Sequence, residues 1–336
     1  MRGRRLRDTV GQSRRRAAPI VALLLSAQLL WAPAAARADG PVTPVATDYL
    51  ARVTHAPAGI QAKVVDGYLN IWLRVPAAET VVVRDFVGAP WVRFDRAGVQ
   101  VNRNSQEYYL SQVPFPALPP PGLRASTPPR WQQVSGGHAY MWREGRLHAL
   151  ATVALAPGQR FVGTWRIALS VNGHPALLSG GIWHRGAPSI LWFWPVLVAL
   201  ACALAAWRVR SPLLDLRLRR LLTLAVLALM ALAVTGHYLH GRPNVRPVNV
   251  VVMVVILALL AAAARLVAAD RHSWVLALLS AIVGLWGGLK LITTLTHGYV
   301  LSAMPTLLAR ADTAALLGAS LSLALIGLRV LEGGRA

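Results

Sequence analysis

The chain has 336 residues, of which 55% are hydrophobic and 14% charged, and its mean hydropathy is +0.47. This composition is too apolar for an ordinary soluble globular protein and predicts an integral membrane protein. The 35 basic residues outnumber the 13 acidic ones by 22, but they are scattered or flank apolar segments, which argues against nucleic-acid binding. Cys202 is the single cysteine, which excludes an intramolecular disulfide, a cysteine zinc site and an iron–sulfur cluster.

Residues 1–38 have the pattern of a signal peptide. Seven arginines between positions 2 and 16 precede an apolar stretch at residues 17–31, which is shorter than the roughly 20 residues that cross a bilayer. Ala36-Arg37-Ala38 fits the small-x-small rule for signal peptidase, so we expect cleavage after Ala38. The alternative is an uncleaved anchor helix.

Residues 39–187 have the pattern of an exported all-β domain. Short runs rich in Val, Ile, Trp, Tyr and Phe alternate in polarity between Gly, Pro, Asn and Asp, which predicts an Ig-like β-sandwich. We expect strands at residues 68–75, 80–86, 91–94, 138–142, 161–171 and 176–183, with tight turns at Asp66-Gly67 and Asn172-Gly173. Seven prolines at residues 114–129 predict an extended surface loop, a candidate contact for a partner or for the membrane-embedded part.

Residues 188–336 predict a transmembrane domain of five α-helices. The apolar segments lie near residues 189–207, 220–239, 247–268, 273–295 and 313–331. Nine arginines that follow the first, third and fifth segments are cytoplasmic by the positive-inside rule: Arg208, Arg210, Arg217, Arg219, Arg220, Arg265, Arg271, Arg329 and Arg335. The opposite loops hold only Arg242, Arg246 and Arg310. We therefore expect a multi-pass plasma-membrane protein with an extracytoplasmic β domain and a cytoplasmic C-terminus, the orientation that a signal peptide also requires.

The fourth predicted membrane helix contains a close-packing motif. Gly284 and Gly288 form a G-x-x-x-G pair with Gly287 beside them, which allows another helix to approach closely. We interpret this pair as packing within the helix bundle, with dimerisation as the alternative.

Three histidines are predicted at the outer membrane face. His237 and His240 end the second helix three residues apart, and His297 ends the fourth. Imidazole binds copper and zinc well, so these three residues are a candidate metal site, for copper above all. Lys290, seven residues before His297, is the one ionisable residue predicted well inside a spanning segment, where such groups are often functional. The alternative is that the histidines are ordinary interfacial residues and that Lys290 snorkels to the membrane surface.

No catalytic motif is found in the sequence. It lacks a G-x-S-x-G elbow, an H-E-x-x-H pair, a Walker A loop and a dinucleotide fingerprint, and no acidic residue falls inside a predicted membrane helix. The spacing of the exported acids is too irregular for a glycosidase pair, so we expect them to be turn or surface groups: Asp85, Asp95, Glu107 and Glu144. A conventional enzyme is not expected.

The exported domain resembles a group of uncharacterised actinobacterial membrane proteins that join a signal peptide and a β-rich exported domain to a C-terminal helix bundle. The resemblance rests on residues 88–94, residues 98–105 with Tyr108 and Leu110, and residues 131–148. In those relatives the last stretch looks like W-H-D-H-R-x-H, a candidate metal-binding or charged recognition site. Trp142, Arg146 and His148 match it, whereas Arg143 and Gly145 replace histidines. The resemblance thus implies that any remaining exported site is formed by His148 and His138.

Two functions follow as expectations. The first is a non-catalytic binding or scaffold role in the cell envelope, in which the exported domain recognises another exported protein or a wall component. The second is the handling of copper or another transition metal, since the architecture is similar to that of bacterial copper-handling membrane proteins with outward-facing histidines. A small transporter ranks last, because five helices are few and show no inverted repeat.

Overall fold

The computed structural model describes residues 44–112, 116–151, 153–209, 211–269 and 274–333. This part of the chain divides into two compact units, and the boundary between them along the chain lies between Gly186 and Ala187. The predicted signal peptide, residues 1–38, lies outside the described residues.

The first unit is built on two antiparallel sheets. The strands after the two-residue strand Ala46–Thr47 are β1 (Tyr49–His55), β2 (Gln61–Val65), β3 (Asn70–Arg74), β4 (Val81–Arg84), β5 (Pro90–Asp95), β6 (Gly98–Asn102), β7 (Trp131–Ser135), β8 (Ala139–Arg143), β9 (Phe161–Val171) and β10 (His174–His184). Among the described residues, one sheet has the order β1-β10-β9-β4-β5-β6-β7 and the other β2-β3-β8. Two short helices, α1 (Gln106–Leu110) and α2 (Gly145–Ala151), interrupt the strands.

Both sheets contribute side chains to one hydrophobic core. Ile71 of β3 and Trp142 of β8 join Val83, Phe94 and Ile167 of the larger sheet in a single buried cluster. In the middle of β9, Trp165, Ile167 and Leu169 are buried and the residues between them are exposed, which is the period expected when one face of a strand packs on a core. The domain is therefore β-rich, with two sheets around a shared interior.

The predicted strands and turns are present with shifted ends, but four strands were not predicted. Residues 161–171 form β9 as expected, and the Asn172-Gly173 turn joins it to β10 with φ of 51° and 84°, which suits a two-residue hairpin turn. Asp66 and Gly67 also have positive φ, 58° and 79°. The strands missing from the prediction are β1, β2, β6 and β7.

The second unit consists of apolar helices. They are α3 (Trp194–Arg208), α4 (Pro212–Tyr238), α5 (Pro247–Ala268), α6 (Trp274–Lys290) and α7 (Thr306–Gly333), with short 3₁₀ helices at Ile190–Phe193 and Ile292–Leu295 and a two-residue strand at Tyr299–Val300. Prolines in the first turns of α3, α4 and α5 have no amide hydrogen to leave unpaired there. Four described segments are long and apolar enough to span a bilayer: 190–208, 212–238, 247–268 and 306–328. The helix at the position of the fourth predicted span, α6, is apolar but has 17 residues.

Three predicted helix boundaries are corrected by the structure. The second helix begins at Pro212 and not at residue 220, so it includes Asp215 in its first turn. The fourth ends at Lys290 and not at residue 295. The last begins at Thr306 and not at residue 313, so Arg310, predicted in an outer loop, lies within the helix.

The small residues of α6 lie against neighbouring helices of the same chain. A Cβ atom at Gly284 would overlap Ser320 of α7 and Val226 of α4, and one at Gly288 would overlap Leu317 of α7. These contacts correspond to the predicted packing of the G-x-x-x-G pair within the bundle.

Candidate functional site

A buried ion pair joins the end of β8 to the start of α2. Glu144 is fully buried, and Arg146 donates from Nε to its Oε1 at 2.6 Å and from Nη2 to its Oε2 at 3.0 Å. The indole of Trp142 donates to Oε2 at 3.0 Å, and the Arg146 amide donates to Oε1 at 3.2 Å. The carboxylate therefore has a bidentate arginine and two further donors, which is the complete set of partners that a buried charge requires.

Arg146 also holds the turn between β4 and β5. Its terminal nitrogens donate to the Arg84 carbonyl at 3.4 and 3.3 Å, and its guanidinium lies 5.1 Å from the centre of the Phe86 ring. The cation–π contact covers one face of a ring that is otherwise 48% exposed. Arg146 therefore couples α2 to the turn that presents Phe86.

Asp85 holds the same turn from within. One carboxylate oxygen accepts the amides of Val87 at 3.0 Å and Ala89 at 2.8 Å, and the other accepts the Ser105 hydroxyl at 2.8 Å. Ser105 in turn caps α1 by accepting the Glu107 amide at 3.2 Å. The turn at residues 85–89 is thus connected through side chains to both short helices.

Glu107 is a buried acid whose carboxyl group lacks hydrogen-bond donors among the described residues. It is 1% exposed, and neither carboxyl oxygen accepts a hydrogen bond from the described residues. Burial, and next the negative charge of Glu144, raise the pKa of Glu107 to about 8, while Arg146 and the nearby Gly145 backbone favour the charged form. Glu107 is accordingly protonated at neutral pH.

These residues form the buried acid cluster, defined as Asp85, Glu107, Glu144 and Arg146. The expectation that the acids are turn or surface groups is wrong for Glu107 and Glu144, which are buried and lie outside turns, whereas Asp85 is a turn group that is also buried. The three carboxylates of the cluster are at most 4% exposed, and the hydrogen bonds of Asp85 and Glu144 connect the segments around them. The sequence does not predict this cluster, because Asp85, Glu107 and Glu144 are about 20 to 60 positions apart and come together only in the folded domain.

The Pro-rich loop runs beside α1. Its described residues, 116–130, contain no helix or strand, in agreement with the predicted extended loop. Side chains at the start of α1 hold it: Gln106 donates to the Leu123 carbonyl at 3.1 Å, and Asn104 donates to the Pro128 carbonyl at 2.8 Å. The Ala117 amide donates to Tyr109, and the next residue, Leu118, is 93% exposed.

Exposed apolar side chains emerge from the segments that the buried acid cluster and α1 support. Phe86 and Val87 are 48% and 45% exposed on the β4–β5 turn, Leu110 ends α1, and Leu118 lies in the Pro-rich loop. We call these four residues the apolar edge. Exposed aromatic and aliphatic residues on a supported loop are typical of protein-recognition surfaces.

The two candidate histidines of the β-rich domain have different surroundings. His148 accepts a hydrogen bond from Arg143 at 3.2 Å and lies edge-on to the Tyr68 ring. Burial, and next the charge of Arg143, lower its pKa to about 4. His138 precedes the opposite end of β8, about 16 Å along the strand, and lines an open groove with Arg74. The pairing of His138 with His148 stays a prediction, since the contacts described for each histidine are with other residues.

The three outer histidines are not assembled into a ligand set. His237 lies in the last turn of α4 with its ring edge-on to Tyr238, and His240 follows that helix. The His297 ring nitrogen Nδ1 lies 2.9 Å from the Thr296 hydroxyl. Within residues 44–333, apart from the undescribed gaps, no group of three or more His, Cys, Asp and Glu side chains is arranged to hold a metal ion. Copper binding remains a prediction.

Buried charges of the bundle lie on α7. Lys290, the predicted intramembrane group, is the exposed last residue of α6, with its Nζ 5.3 Å from the Trp286 ring centre, as expected of a snorkelling lysine. Arg310 and Asp312 are 5% and 3% exposed instead. They were overlooked because the predicted helix began at residue 313.

Arg310 stabilises the segment before α7. It donates to the carbonyls of Thr294 at 3.0 Å, His297 at 2.8 Å and Gly298 at 3.1 Å. These acceptors lie at and just beyond the end of the 3₁₀ helix at Ile292–Leu295, where carbonyls lack helical partners. The oxygens of Asp312 accept no hydrogen bond from any described residue.

Comparison with known proteins finds no matching family, no similar characterised protein and no similar solved structure.

Proposed function

We propose that this chain is a cell-envelope membrane protein whose exported β domain is a non-catalytic binding module, anchored by the apolar helices. The observation that carries the proposal is the apolar edge, in which Phe86 and Val87 stand exposed on a turn held by the buried acid cluster. A recognition loop that is ordered before binding loses less conformational entropy when the partner docks.

The cost of burying charge supports a positioning role for the cluster. Replacing a buried ion pair by apolar residues is often neutral or stabilising, so such pairs contribute little net stability. Here the ion pair Glu144–Arg146 instead connects α2 with the β4–β5 turn, and Asp85 connects that turn with α1. Its contribution is the orientation of Phe86 and its neighbours.

The partner that suits the apolar edge is another exported protein. Aromatic anchors surrounded by smaller contacts dominate the binding energy of protein interfaces, and Phe86 with Val87 and Leu118 provides this combination. We also propose that the domain is an Ig-like sandwich facing the outside, with a cytoplasmic C-terminus. The shared core of the two sheets and the clustering of arginines after the first, third and fifth apolar segments support these assignments.

The test is co-purification of tagged full-length protein from membranes. Phe86→Ser combined with Val87→Ser, and separately deletion of residues 114–129, should remove a specific envelope protein that wild type retains, while membrane insertion is unchanged. Leu177→Ser is the matched control, because Leu177 is also exposed but lies on β10 away from the edge. Retention of every partner by both edge variants would overturn the proposal.

A further inference from the structure

In the β-rich domain the acidic residues are buried or half-buried, whereas most of the basic residues are exposed. Between residues 44 and 186 the chain has 14 basic and seven acidic residues, all of them described. None of the acids is exposed: Asp66, Asp85, Glu107 and Glu144 are buried, and Asp48, Glu79 and Asp95 are half-buried. Eleven of the 14 basic side chains are exposed. The surface that this domain presents is therefore strongly cationic.

Three of these exposed arginines and two aromatic residues lie at one end of the large sheet. Arg52 of β1 lies over the Trp183 ring of β10 at 6.0 Å, and Trp183 pairs with Phe161 of β9 at a ring distance of 5.6 Å. Arg160 precedes Phe161, and its carbonyl accepts the His184 amide at 2.7 Å. We call Arg52, Arg160, Arg185, Phe161 and Trp183 the juxtamembrane cluster.

The acidic group nearest to the juxtamembrane cluster along the backbone is Asp48, whose carbonyl accepts the Arg185 amide at 2.8 Å. Ion pairs among the described side chains occur elsewhere, between Arg93 and Asp95 and between Arg146 and Glu144. The three guanidinium groups of the cluster thus form no ion pair with a described carboxylate. The cluster also contains two aromatic rings, those of Phe161 and Trp183. Arginine in this setting binds phosphate groups through its planar fork of donors.

One member of the cluster, Arg185, is close to the first apolar span along the chain. Arg185 is five residues before Ile190, where the first apolar span begins, so the backbone keeps it within about 17 Å of that span. Ser189 and the exposed Trp194 flank the entry into the span. Tryptophan and arginine beside a span are typical of the headgroup region of a membrane.

We propose that the juxtamembrane cluster binds the phosphate headgroups of anionic phospholipids in the outer leaflet. This inference rests on the proposed orientation of the chain in the membrane, but not on the apolar edge or on a protein partner, because it concerns a different surface. It commits to a membrane lipid as the source of the phosphate, since the cluster adjoins the first span and combines basic with aromatic side chains. Each arginine near an anionic surface strengthens binding about fivefold.

The first experiment is native mass spectrometry of full-length protein in detergent, titrated with phosphatidylglycerol or phosphatidylcholine. Wild type should retain phosphatidylglycerol preferentially. The triple variant Arg52→Gln, Arg160→Gln and Arg185→Gln should weaken this binding by roughly 100-fold at the corresponding site. The matched control removes three exposed arginines elsewhere in the same domain: Arg74→Gln, Arg96→Gln and Arg124→Gln. Equal loss in the two triple variants would overturn the assignment.

A second measurement localises the effect without any variant. In nanodiscs containing phosphatidylglycerol, hydrogen exchange of the peptide at residues 158–166 should be slower than in phosphatidylcholine nanodiscs, whereas Trp131–Ser135 should exchange equally in both. Soluble glycerol phosphate added to the phosphatidylcholine sample should give no protection. Protection by glycerol phosphate alone, or identical exchange in the two lipids, would contradict a lipid site.

Discussion

Glu107 makes the stability of the β-rich domain fall as the pH rises from about 4.5 to about 8. Burial and the charge of Glu144 raise its pKa from 4.5 to about 8, with Asp85 adding to the effect and Arg146 opposing it. Between these two pH values the folded domain holds a proton that the unfolded chain has released. Stability therefore decreases by about 1.4 kcal/mol for each unit that the pH rises within this window.

His148 acts in the opposite direction at lower pH. Burial and the charge of Arg143 lower its pKa from 6.5 to about 4, while Glu144 opposes the shift. Between these values the unfolded imidazole is protonated and the folded one is neutral, so stability increases by about 1.4 kcal/mol for each unit that the pH rises.

Wild-type stability should accordingly be nearly level from about pH 4.5 to 6.5 and then fall by about 2 kcal/mol up to pH 8. Glu107→Gln resembles the protonated acid, so it should remove the fall in stability above pH 6.5. Only the effect of His148 then remains, and stability should rise by about 3 kcal/mol between about pH 4.5 and 6.5. His148→Asn should instead give a continuous fall of 4 to 5 kcal/mol between about pH 4.5 and 8. The two substitutions thus change different halves of the profile.

The assay is hydrogen–deuterium exchange of the β5 and β9 peptides in full-length protein in detergent. Protection is converted to free energy at pH 5, 6.5 and 8 after correction for the intrinsic exchange rate. Asp95→Asn is the matched control, because Asp95 is a half-buried acid of the same sheet that pairs with Arg93 outside the cluster. A Glu107→Gln profile that still falls between pH 6.5 and 8 as steeply as wild type would refute the reasoning.

Further predictions concern the helices. Gly284→Leu should lower bundle stability by about 2 to 3 kcal/mol, because the new side chain overlaps α4 and α7, and the thermal midpoint of detergent-solubilised protein should fall while Gly284→Ala falls less. Arg310→Met should cost at least about 3 kcal/mol in the same assay, since three carbonyls lose their donor; an unchanged midpoint would contradict this. If copper is bound, elemental analysis of protein from metal-supplemented cells should give near-stoichiometric metal that the His237→Ala, His240→Ala, His297→Ala variant loses, and equal metal content would exclude these ligands.

Alternating strands were predictable because one of their faces is buried. β9 alternates from Thr164 to Leu169, and Asn172-Gly173 forms the turn that follows it, so this strand could be predicted. β7 contains Trp131 and two glutamines and is largely exposed, so it produces no period-two pattern. Its position depends on pairing with β6, a tertiary contact that propensity does not encode.

The start of α7 shows how charge hides a helix boundary. Arg310 and Asp312 reduce the local hydropathy, so the hydropathy pattern predicts an apolar segment only from residue 313. Pro305 directly before Thr306 was the available signal, because proline is favoured at the first positions of helices. The buried charges were therefore assigned to a loop although they belong to the second turn of the helix.

The candidate site was predictable only in part. The resemblance indicated Trp142, Arg146 and His148, and the first two indeed meet at Glu144. The remaining acids are separated along the chain, and an isolated Asp or Glu is more often a surface group. Glu107 lies on α1, which is held to the β4–β5 turn through Ser105 and Asp85. The residues around Glu107 in the sequence contain no pattern that predicts this contact.

The most direct test of the proposed binding function is photo-crosslinking in living cells from a photoreactive residue placed at position 86, with position 177 as the control. The proposal predicts one discrete adduct with an exported protein from position 86 and none from position 177. No adduct at position 86, or the same adducts from both positions, would contradict it.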